Sequence, residues 1–570
     1  MSCGAEHAGV PADLDDRPLI VQRDGALLLE TEGPAYPVVR DLLGGFAQLD
    51  RSPERLHTYR ITPLSLRNAA AVGFTFEAIA GALETWSRYP VPSEALDLVR
   101  DQLSRYGRTR LVPGESGELL LRSEDARVLA LAGSDEDAGA LIRRRTDGGM
   151  VVAARDRGAL KQAMVHLGYP VEDLCGYADG APLEIALRTR DGHGRPLALR
   201  PYQRAAVEAF HDGGGARGGA GIVVLACGAG KTVVGLGVMA RVGARTLVLT
   251  TSTLAARQWI DELLDKTEVA PEAVGEYTGQ RKDVRPITVA TYQMLTHRPS
   301  KDGEFPHLEL LRDAGWGLVI YDEVHMLPAP VFRATAELQA RRRLGLTATL
   351  VREDSREDDV FALIGPKRFE VPWKVLEGQG YIAEALCTEV RVALPERRRI
   401  AYALAPRRDR FRVAAENPAK IALVRALLAA HATVPALVIG QFLDQLAELA
   451  RELGLPLITG ATPQAERERL FEAFRHGEER ALVVSKVANF AIDLPDAGLL
   501  VQVSGTFGSR QEEAQRLGRV LRPKAQPSRF CTLVSRDTVE QDFAAKRQMF
   551  LVEQGYRYQI VPGEEFDARL

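Results

Sequence analysis

The chain has 570 residues, of which 46% are hydrophobic and 26% charged, values typical of a globular protein with several domains. Its formal net charge of −3 excludes a uniformly basic, histone-like binder, although local arginine clusters can still contact phosphates. The apolar runs are too short to span a membrane, the acidic N-terminus lacks an export signal, and the five cysteines form no CxxC pair, so we expect a cytoplasmic protein without membrane, zinc or disulfide elements.

The first part of the chain carries apolar residues at helical spacing between Thr62 and Gly107, punctuated by Gly73 and Pro90. The stretch TRLVPGESGELLLRS, residues 109–123, predicts a hairpin with PGESG at its tip. Helices followed by a hairpin are typical of a winged-helix unit. We therefore predict a helical, winged-helix-like domain over 1–115 and a small α+β domain over 116–190.

Residues 191–378 alternate short apolar runs with helical patterns, and residues 379–570 repeat this arrangement. The first series of candidate strands is GIVVLAC, TLVLTT, PITVAT, WGLVIYDE and RRLGLTAT. The second series is PALVIGQ, LPLITG, RALVVSK, LLVQVSG and RFCTLVS. Near-continuous apolar strands separated by helices predict parallel sheets covered on both faces. We expect tandem α/β domains, joined by a segment from Val371 to about Asn417.

The first strand of this region leads into LACGAGKT, residues 225–232, which is a glycine-rich loop at the start of a helix. Leu225 stands where the phosphate-binding pattern G-x-x-x-x-G-K-[ST] has its first glycine. Gly228 and Gly230 supply unusual backbone angles, Lys231 supplies charge for phosphates, and Thr232 offers a hydroxyl to Mg²⁺. Taken alone, the loop also fits an ordinary strand-to-helix turn.

The motif LVIYDEVH places Asp322 and Glu323 at the carboxyl end of an apolar strand, where parallel sheets bind ligands. Asp322 can hold magnesium and Glu323 can orient the attacking water, whereas an acidic strand cap is the alternative. Further on, QRLGRVLRP predicts a helix that carries Arg519 and Arg522. These arginines can neutralise charge on a γ-phosphate, or they can lie on a solvated basic helix.

The motifs LRPYQ, CGAGKT, DEVH, LTATLVRED and QRLGRVLR follow the order of superfamily 2 helicases, and the chain resembles the bacterial branch of the XPB family from about Leu199 to Gln554. The family loop also lacks the first glycine. The resemblance implies two tandem RecA-like parallel-sheet motor domains (191–378 and 379–570) preceded by smaller helical and α+β domains. It also implies ATP and Mg²⁺ as cofactors, and DNA (single-stranded, duplex or forked) as partner.

The resemblance assigns roles residue by residue. It implies a nucleotide-binding set of Arg200, Gln203, Gly228, Ala229, Gly230, Lys231, Thr232, Asp493 and Gln515. It implies a catalytic set of Lys231, Asp322, Glu323, Arg519 and Arg522, with Thr232 and Asp322 as metal ligands. It implies a set for DNA contact or coupling of Thr251, Ser252, Arg257, Thr278, Gly279, Thr291, His325, Thr347, Thr349, Arg352, Glu353 and Asp354.

The resemblance further implies 3′→5′ polarity, a role in nucleotide excision repair or transcription-linked DNA opening, a nuclease or repair partner, and association with the nucleoid. The arginine-rich segment 391–412 stands near the thumb-like insertion of XPB proteins, and it suits either a DNA-gripping element or a solvated linker. Two other functions remain open. One is a double-stranded DNA translocase that does not separate strands, and the other is a nucleotide-gated DNA-binding scaffold with little turnover.

Overall fold

The computed structural model describes residues 14, 16–53, 55–174, 180–214, 218–297, 306–307, 311, 314–327, 340, 342–348, 357–485, 497–505, 516–518, 527–556 and 558–568. The chain divides into two compact units, Met1–Val224 with Gly230–Glu370 and Leu225–Ala229 with Val371–Leu570. In the described ranges, the helices are too short or too polar to cross a membrane.

The first elements form an antiparallel sheet with helices. In chain order they are β1 (Leu19–Val21), β2 (Ala26–Glu30), α1 (Tyr36–Leu43), β3 (Gln48–Arg51), β4 (Leu56–Arg60), α2 (Pro63–Ala71), α3 (Phe76–Trp86) and α4 (Ser93–Arg105). The strand order is β1-β2-β4-β3. The sequence predicted helices alone here. These strands have three to five residues each, too few for alternation to stand out.

A five-stranded sheet with three helices follows. Its elements are β5 (Thr109–Pro113), β6 (Leu119–Ser123), α5 (Ala126–Ser134), α6 (Glu136–Ala140), β7 (Ile142–Thr146), β8 (Gly149–Val152), α7 (Arg157–His166) and β9 (Val171–Asp173). The strand order is β7-β8-β6-β5-β9. The predicted hairpin is present as the antiparallel pair β5–β6. Both strands belong to this sheet, so the hairpin is not a wing on the preceding helices, and the sheet crosses the predicted boundary between 115 and 116.

The first parallel sheet carries the glycine-rich loop. Its elements are α8 (Pro201–His211), β10 (Ala220–Val224), α9 (Lys231–Val242), β11 (Thr246–Thr250), α10 (Thr253–Lys266), β12 (Val274–Tyr277), β13 (Ile287–Thr291), α11 (Tyr292–Thr296), β14 (Leu318–Asp322), β15 (Arg342–Thr347), α12 (Glu357–Ile364) and β16 (Lys367–Glu370). The strand order is β12-β13-β11-β14-β15-β10-β16, with every pair parallel. The five predicted strands are confirmed. The edge strands β12 and β16 escaped prediction because their sequences, VGEY and KRFE, are short and polar.

The second parallel sheet has the same construction. Its elements are α13 (Trp373–Gly378), β17 (Ala385–Val392), α14 (Glu396–Leu404), α15 (Arg410–Ala415), α16 (Ala419–Ala430), β18 (Ala436–Gly440), α17 (Leu443–Leu453), β19 (Leu457–Ile458), α18 (Gln464–Arg475), β20 (Ala481–Ser485), β21 (Leu499–Gln502), β22 (Ser528–Ser535), α19 (Val539–Glu553) and β23 (Tyr558–Pro562). The strand order is β19-β20-β18-β21-β22-β17-β23. The tandem parallel-sheet prediction is confirmed.

One prediction about this region was wrong. The segment from Val371 to Asn417 was expected to be a connection, yet it supplies β17, which lies between β22 and β23. The sequence of β17, ALCTEVRV, is interrupted by Thr388, Glu389 and Arg391, so it lacks the near-continuous apolar run of a parallel strand buried on both faces. Its polar Glu389 is nevertheless buried, where Gln548 donates a hydrogen bond to it.

Helix α2, in the N-terminal part of the chain, packs beside β16, an edge strand of the first parallel sheet. The Oδ1 atom of Asn68 accepts a hydrogen bond from the backbone N–H of Lys367 at 3.4 Å. The guanidinium of Arg67 lies over the ring of Phe361 in α12, 6.0 Å from its centroid. Residues 360–364 of α12 are all buried, as expected for a helix with partners on every side.

Candidate active site

The loop from Leu225 to Gly230 joins the buried strand β10 to the first turn of α9. The side chain of Leu225 is fully buried, so the residue at the missing-glycine position packs in the interior. Gly228 and Gly230 have φ angles of +80° and +79°. These left-handed angles strain residues with a Cβ atom, which explains both glycines.

Gly230, the last residue of the loop, lies against Gln203 of the predicted LRPYQ motif. A Cβ atom on Gly230 would lie 2.6 Å from Nε2 of Gln203, so that position has no room for a side chain. Gln203 is buried, and its Oε1 accepts a hydrogen bond from the backbone N–H of Arg200 at 2.9 Å, at the start of α8. The Arg200 guanidinium donates to the hydroxyl of Tyr202 at 3.2 Å. The structure therefore brings Gln203 beside the glycine loop.

The two central residues of the predicted catalytic set are in contact. Nζ of Lys231, in the first turn of α9, lies 2.7 Å from Oε1 of Glu323. Glu323 directly follows β14 and has a φ of +49°, one of three positive φ angles among the described residues other than glycine. Such backbone strain persists where the surrounding structure enforces it, and it is frequent at active sites.

Asp322 ends β14 and is held from several sides. Its Oδ2 accepts a hydrogen bond from Nε1 of Trp259 at 2.9 Å, and its Oδ1 accepts one from the backbone N–H of Glu323 at 3.1 Å. The hydroxyl of Tyr292 donates to the backbone carbonyl of Asp322 at 2.7 Å. Burial, reinforced by the neighbouring Glu323 carboxylate, raises the pKa of Asp322 to about 6. Two adjacent, half-buried carboxylates favour a bound cation.

Trp259 and Tyr292 were not predicted as site residues, although they lie close in the chain to Arg257 and Thr291, which were. Trp259 is buried on α10, and it fits against α9 because position 235 is glycine. A Cβ atom on Gly235 would lie 2.5 Å from the Trp259 ring. A glycine within a helix opposite a buried tryptophan is the sequence signal for this close approach.

His325 links the ends of neighbouring strands β14 and β15. It is buried, and its Nδ1 is hydrogen-bonded to the hydroxyl of Thr347 at 2.7 Å. The same Nδ1 lies 3.5 Å from Oε2 of Glu323. Since Thr347 ends β15, a continuous set of contacts runs from Lys231 through Glu323 and His325 to the next strand.

Five of the eight described residues in the set predicted for DNA contact or coupling lie at or directly after the carboxyl ends of β11, β12 and β13, which are adjacent in the parallel sheet. They are Thr251, Ser252, Thr278, Gly279 and Thr291. Because the strands are parallel, these residues share one edge of the sheet.

Within this group, some side chains also shape the loops that carry them. The hydroxyl of Ser252 accepts a hydrogen bond from the backbone N–H of Ala255 at 3.2 Å and caps α10. The buried hydroxyl of Thr278 donates to Glu276 at 2.8 Å. Arg257 lies on α10 with its Nε 3.7 Å from the same Glu276 carboxylate.

Eight predicted site residues lie outside the described residues. They are Thr349, Arg352, Glu353, Asp354, Asp493, Gln515, Arg519 and Arg522. Residues 516–518 are helical, as predicted for QRLGRVLRP. Arg516 is buried there and donates a hydrogen bond to Oε1 of Gln502 at the end of β21.

A glycine loop at a helix start, a strand ending in Asp-Glu-x-His, and a second parallel-sheet domain define a nucleotide-using helicase of superfamily 2. Family models agree with this class. Residues 376–568 match the ERCC3/RAD25/XPB C-terminal helicase family. Residues 196–352 match the res subunit of type III restriction enzymes, and residues 19–147 match a helicase conserved C-terminal domain.

The chain belongs to the XPB family. It is 54% identical to the DNA 3′-5′ helicase XPB of Kineococcus radiotolerans over 97% of this chain and 98% of that protein. It is 51% identical to the DNA 3′-5′ helicase XPB of Mycobacterium tuberculosis, over 96% of this chain and 98% of that protein. It is 36% identical to the general transcription and DNA repair factor IIH helicase/translocase subunit XPB of Antonospora locustae, over 96% of this chain and 82% of that protein.

Proposed function

We propose that this chain is an ATP-dependent DNA helicase or translocase with 3′→5′ polarity that opens DNA in nucleotide excision repair or related transactions. The observation that carries the proposal is the contact series Lys231–Glu323–His325–Thr347, which links a nucleotide loop to the neighbouring strand end. The family relationship to proteins named DNA 3′-5′ helicases supports the substrate and the polarity.

We assign the chemistry to residues at the carboxyl edge of the first parallel sheet. Lys231 binds the β- and γ-phosphates of ATP. Glu323 then no longer contacts Lys231 and instead orients the attacking water. The half-buried carboxylate pair and the hydroxyl of Thr232, next to Lys231, suit Mg²⁺, with Thr232 and Asp322 as its protein ligands. When bound, Mg²⁺ neutralises charge on the phosphates.

We assign the remaining predicted residues in the same way. Gln203 with Arg200 serves the adenine side of the nucleotide, and the group after β11, β12 and β13 contacts the DNA backbone. Asp493, Gln515, Arg519 and Arg522 act on the nucleotide from the second motor domain. The residues Thr349, Arg352, Glu353 and Asp354 act in coupling or DNA opening.

The arginines of α14 and of the turn after it support a DNA-gripping segment over 391–412. Among the described residues, no carboxylate lies within ion-pair distance of Arg397, Arg398, Arg399 or Arg407. By contrast, Arg412 pairs with Glu416 at 2.7 Å. Uncompensated guanidinium groups on one short segment suit a phosphate backbone.

We also propose that residues 191–378 and 379–570 carry the motor activity. They are preceded by an N-terminal domain that ends before β5 and by a small α+β domain that extends from β5 to about residue 190. A cytoplasmic, nucleoid-associated location and a nuclease or repair partner follow from the proposed function.

The first experiment measures ATP hydrolysis with and without single-stranded, double-stranded and forked DNA. Lys231→Ala and Glu323→Gln should each lower the DNA-stimulated rate at least about 100-fold, because they remove a phosphate contact and the water-orienting carboxylate. Glu208→Gln, an exposed carboxylate on α8, is the matched control and should retain the rate. Substantial turnover in either site variant would contradict the assignment.

A second measurement separates strand opening from translocation alone. Unwinding of a gapped duplex is expected together with DNA-stimulated hydrolysis. Displacement of a triplex strand without unwinding would instead indicate a double-stranded DNA translocase. DNA binding without hydrolysis would indicate a nucleotide-gated scaffold.

A further inference from the structure

A buried ion pair lies at the carboxyl edge of the second parallel sheet, apart from the nucleotide loop. Lys420 in α16 and Glu540 in α19 are both fully buried. Nζ of Lys420 lies 2.8 and 2.9 Å from the two carboxylate oxygens of Glu540, and it donates a further hydrogen bond to the backbone carbonyl of Val503 at 2.8 Å. These three acceptors satisfy the whole ammonium group.

Stability alone does not account for such a pair. Burial lowers the pKa of Lys420 even though the Glu540 carboxylate opposes that shift, so desolvation outweighs the attraction. Apolar residues of similar volume often replace buried ion pairs without loss of stability. The role of the Lys420–Glu540 pair is therefore inferred from the two parts of the chain that it connects.

On one side, the pair fixes the segment that continues β21. The carbonyl of Val503, held by Lys420, also accepts a hydrogen bond from Nε2 of Gln445 at 3.3 Å. The next residue, Ser504, accepts one from the backbone N–H of Gln441 at 2.8 Å. The path of the chain directly after β21 is thus set by side chains of α16 and α17.

On the other side, the pair reaches the end of α15. Oε2 of Glu540 accepts a hydrogen bond from the backbone N–H of Ser535 at 2.8 Å, and the hydroxyl of Ser535 donates to the carbonyl of Ala414 at 2.7 Å. Gln445 also donates to the carbonyl of Ala415 at 2.6 Å. Ala414 and Ala415 are the last residues of α15, which follows the arginine-bearing helix α14.

The end of β21 also contacts Arg516, a residue of the predicted QRLGRVLRP motif. Gln502, the residue before Val503, accepts a hydrogen bond from the buried guanidinium of Arg516. Arg516 lies three residues before Arg519 in the QRLGRVLRP motif. The ion pair therefore connects the end of α15 to the strand end that contacts Arg516.

We propose that Lys420 and Glu540 are positioning residues that transmit DNA binding at α14–α15 to the arginine segment and so set the DNA-stimulated rate of ATP hydrolysis. The inference rests on the proposed function, since it concerns how DNA stimulates the same reaction. Among the described residues, the side-chain hydrogen bonds of Lys420 and Glu540 go to each other, to Val503 and to Ser535, so we expect the pair to act through the backbone of Val503.

The double variant Lys420→Met/Glu540→Leu tests this proposal in the full chain. Its apolar side chains fill the same space, so we expect a melting temperature within a few degrees of the unmodified chain. Hydrolysis without DNA and the KM for ATP should not change. The DNA-stimulated kcat should fall about tenfold, a typical size for coupling between two sites. DNA affinity, measured directly by fluorescence anisotropy, should be retained.

Two further variants complete the experiment. Gln445→Leu removes the second donor to Val503 but leaves the ion pair, and it should cause a smaller loss of stimulation. Glu389→Gln changes a buried carboxylate on β17 whose partners are Arg391, Gln548 and Tyr558, and it should leave stimulation unchanged.

A folded double variant with unchanged DNA stimulation would overturn the proposal, and so would an equal loss in Glu389→Gln. If the double variant does not fold, Gln445→Leu decides: reduced stimulation supports the proposal and unchanged stimulation overturns it. If the unmodified chain itself shows no DNA-stimulated hydrolysis, the proposed function fails. This outcome is distinct from a failure of the Lys420–Glu540 proposal, which is judged only on variants of a DNA-stimulated chain.

Discussion

The glycines at positions 228 and 230 share a left-handed backbone but differ in their surroundings. Their φ angles are +80° and +79°. A Cβ atom on Gly228 would meet no atom within 4 Å, whereas one on Gly230 would lie 2.6 Å from Gln203. A side chain at position 228 would therefore meet only backbone strain. A side chain at position 230 would meet the same backbone strain and would also clash with the buried Gln203.

Alanine substitutions should separate these two effects. Gly228→Ala should cost about 1–2 kcal/mol of backbone strain and raise the Kd for ATP only modestly. Gly230→Ala adds displacement of Gln203, so the Kd for ATP should rise at least about tenfold, the equivalent of ~1.4 kcal/mol. Titration with a fluorescent ATP analogue measures both. Equal effects in the two variants would show that the contact with Gln203 has no role in nucleotide binding.

At the scale of elements, the strand ends β14 and β15 are tied together by a buried hydrogen bond. His325 and Thr347 contact each other at 2.7 Å, and Glu323 lies 3.5 Å from the same imidazole nitrogen. Adjacent parallel strands place these residues at one edge, so a change in the contacts of Glu323 can alter the end of β15.

Thr347→Val should disconnect this path with little change in shape. The methyl group keeps the volume of the hydroxyl but removes the hydrogen bond to Nδ1 of His325, at a cost of about 1–3 kcal/mol. We expect hydrolysis without DNA to persist and DNA stimulation to fall several-fold, as measured by steady-state ATPase assays. Thr288→Val is the matched control, because this buried threonine on β13 bonds only to Arg285 in the described structure. Full DNA stimulation in Thr347→Val would rule out the path.

The strands show which elements could be predicted from the sequence and which could not. Strands of near-continuous apolar residues, such as β11 and β18, were predicted because both of their faces are buried. The strand β17 was missed because its buried Glu389 has partners from distant parts of the chain, on α19 and β23. A local pattern cannot show that a polar residue has found such partners.

At the scale of the whole molecule, the N-terminal part belongs to the same compact unit as the first parallel sheet. Helix α2 contacts β16 and α12 through Asn68 and Arg67. Because residues 360–364 are all buried, removing the N-terminal part would expose apolar surface that is now covered.

A chain that starts at residue 195 should therefore be less stable than the full chain. We expect a lower melting temperature and concentration-dependent aggregation, measured by differential scanning fluorimetry and light scattering. In the full chain, Arg67→Ala provides a graded control. It removes only the guanidinium over Phe361, a contact worth about 0.5–2 kcal/mol, and should lower the melting temperature slightly. A monomeric truncated chain with an unchanged melting temperature would show that the N-terminal part is independent.

The phosphate loop, the Asp-Glu strand end and the two parallel sheets could be predicted from the sequence alone. These features depend on short stretches whose composition and order directly reflect phosphate binding and strand burial. The contacts between distant residues became visible in the folded chain: Gln203 beside Gly230, Trp259 bonded to Asp322, and Lys420 paired with Glu540 at the second sheet. Such pairs arise from packing between elements, and their long separation in the chain leaves no periodic signal.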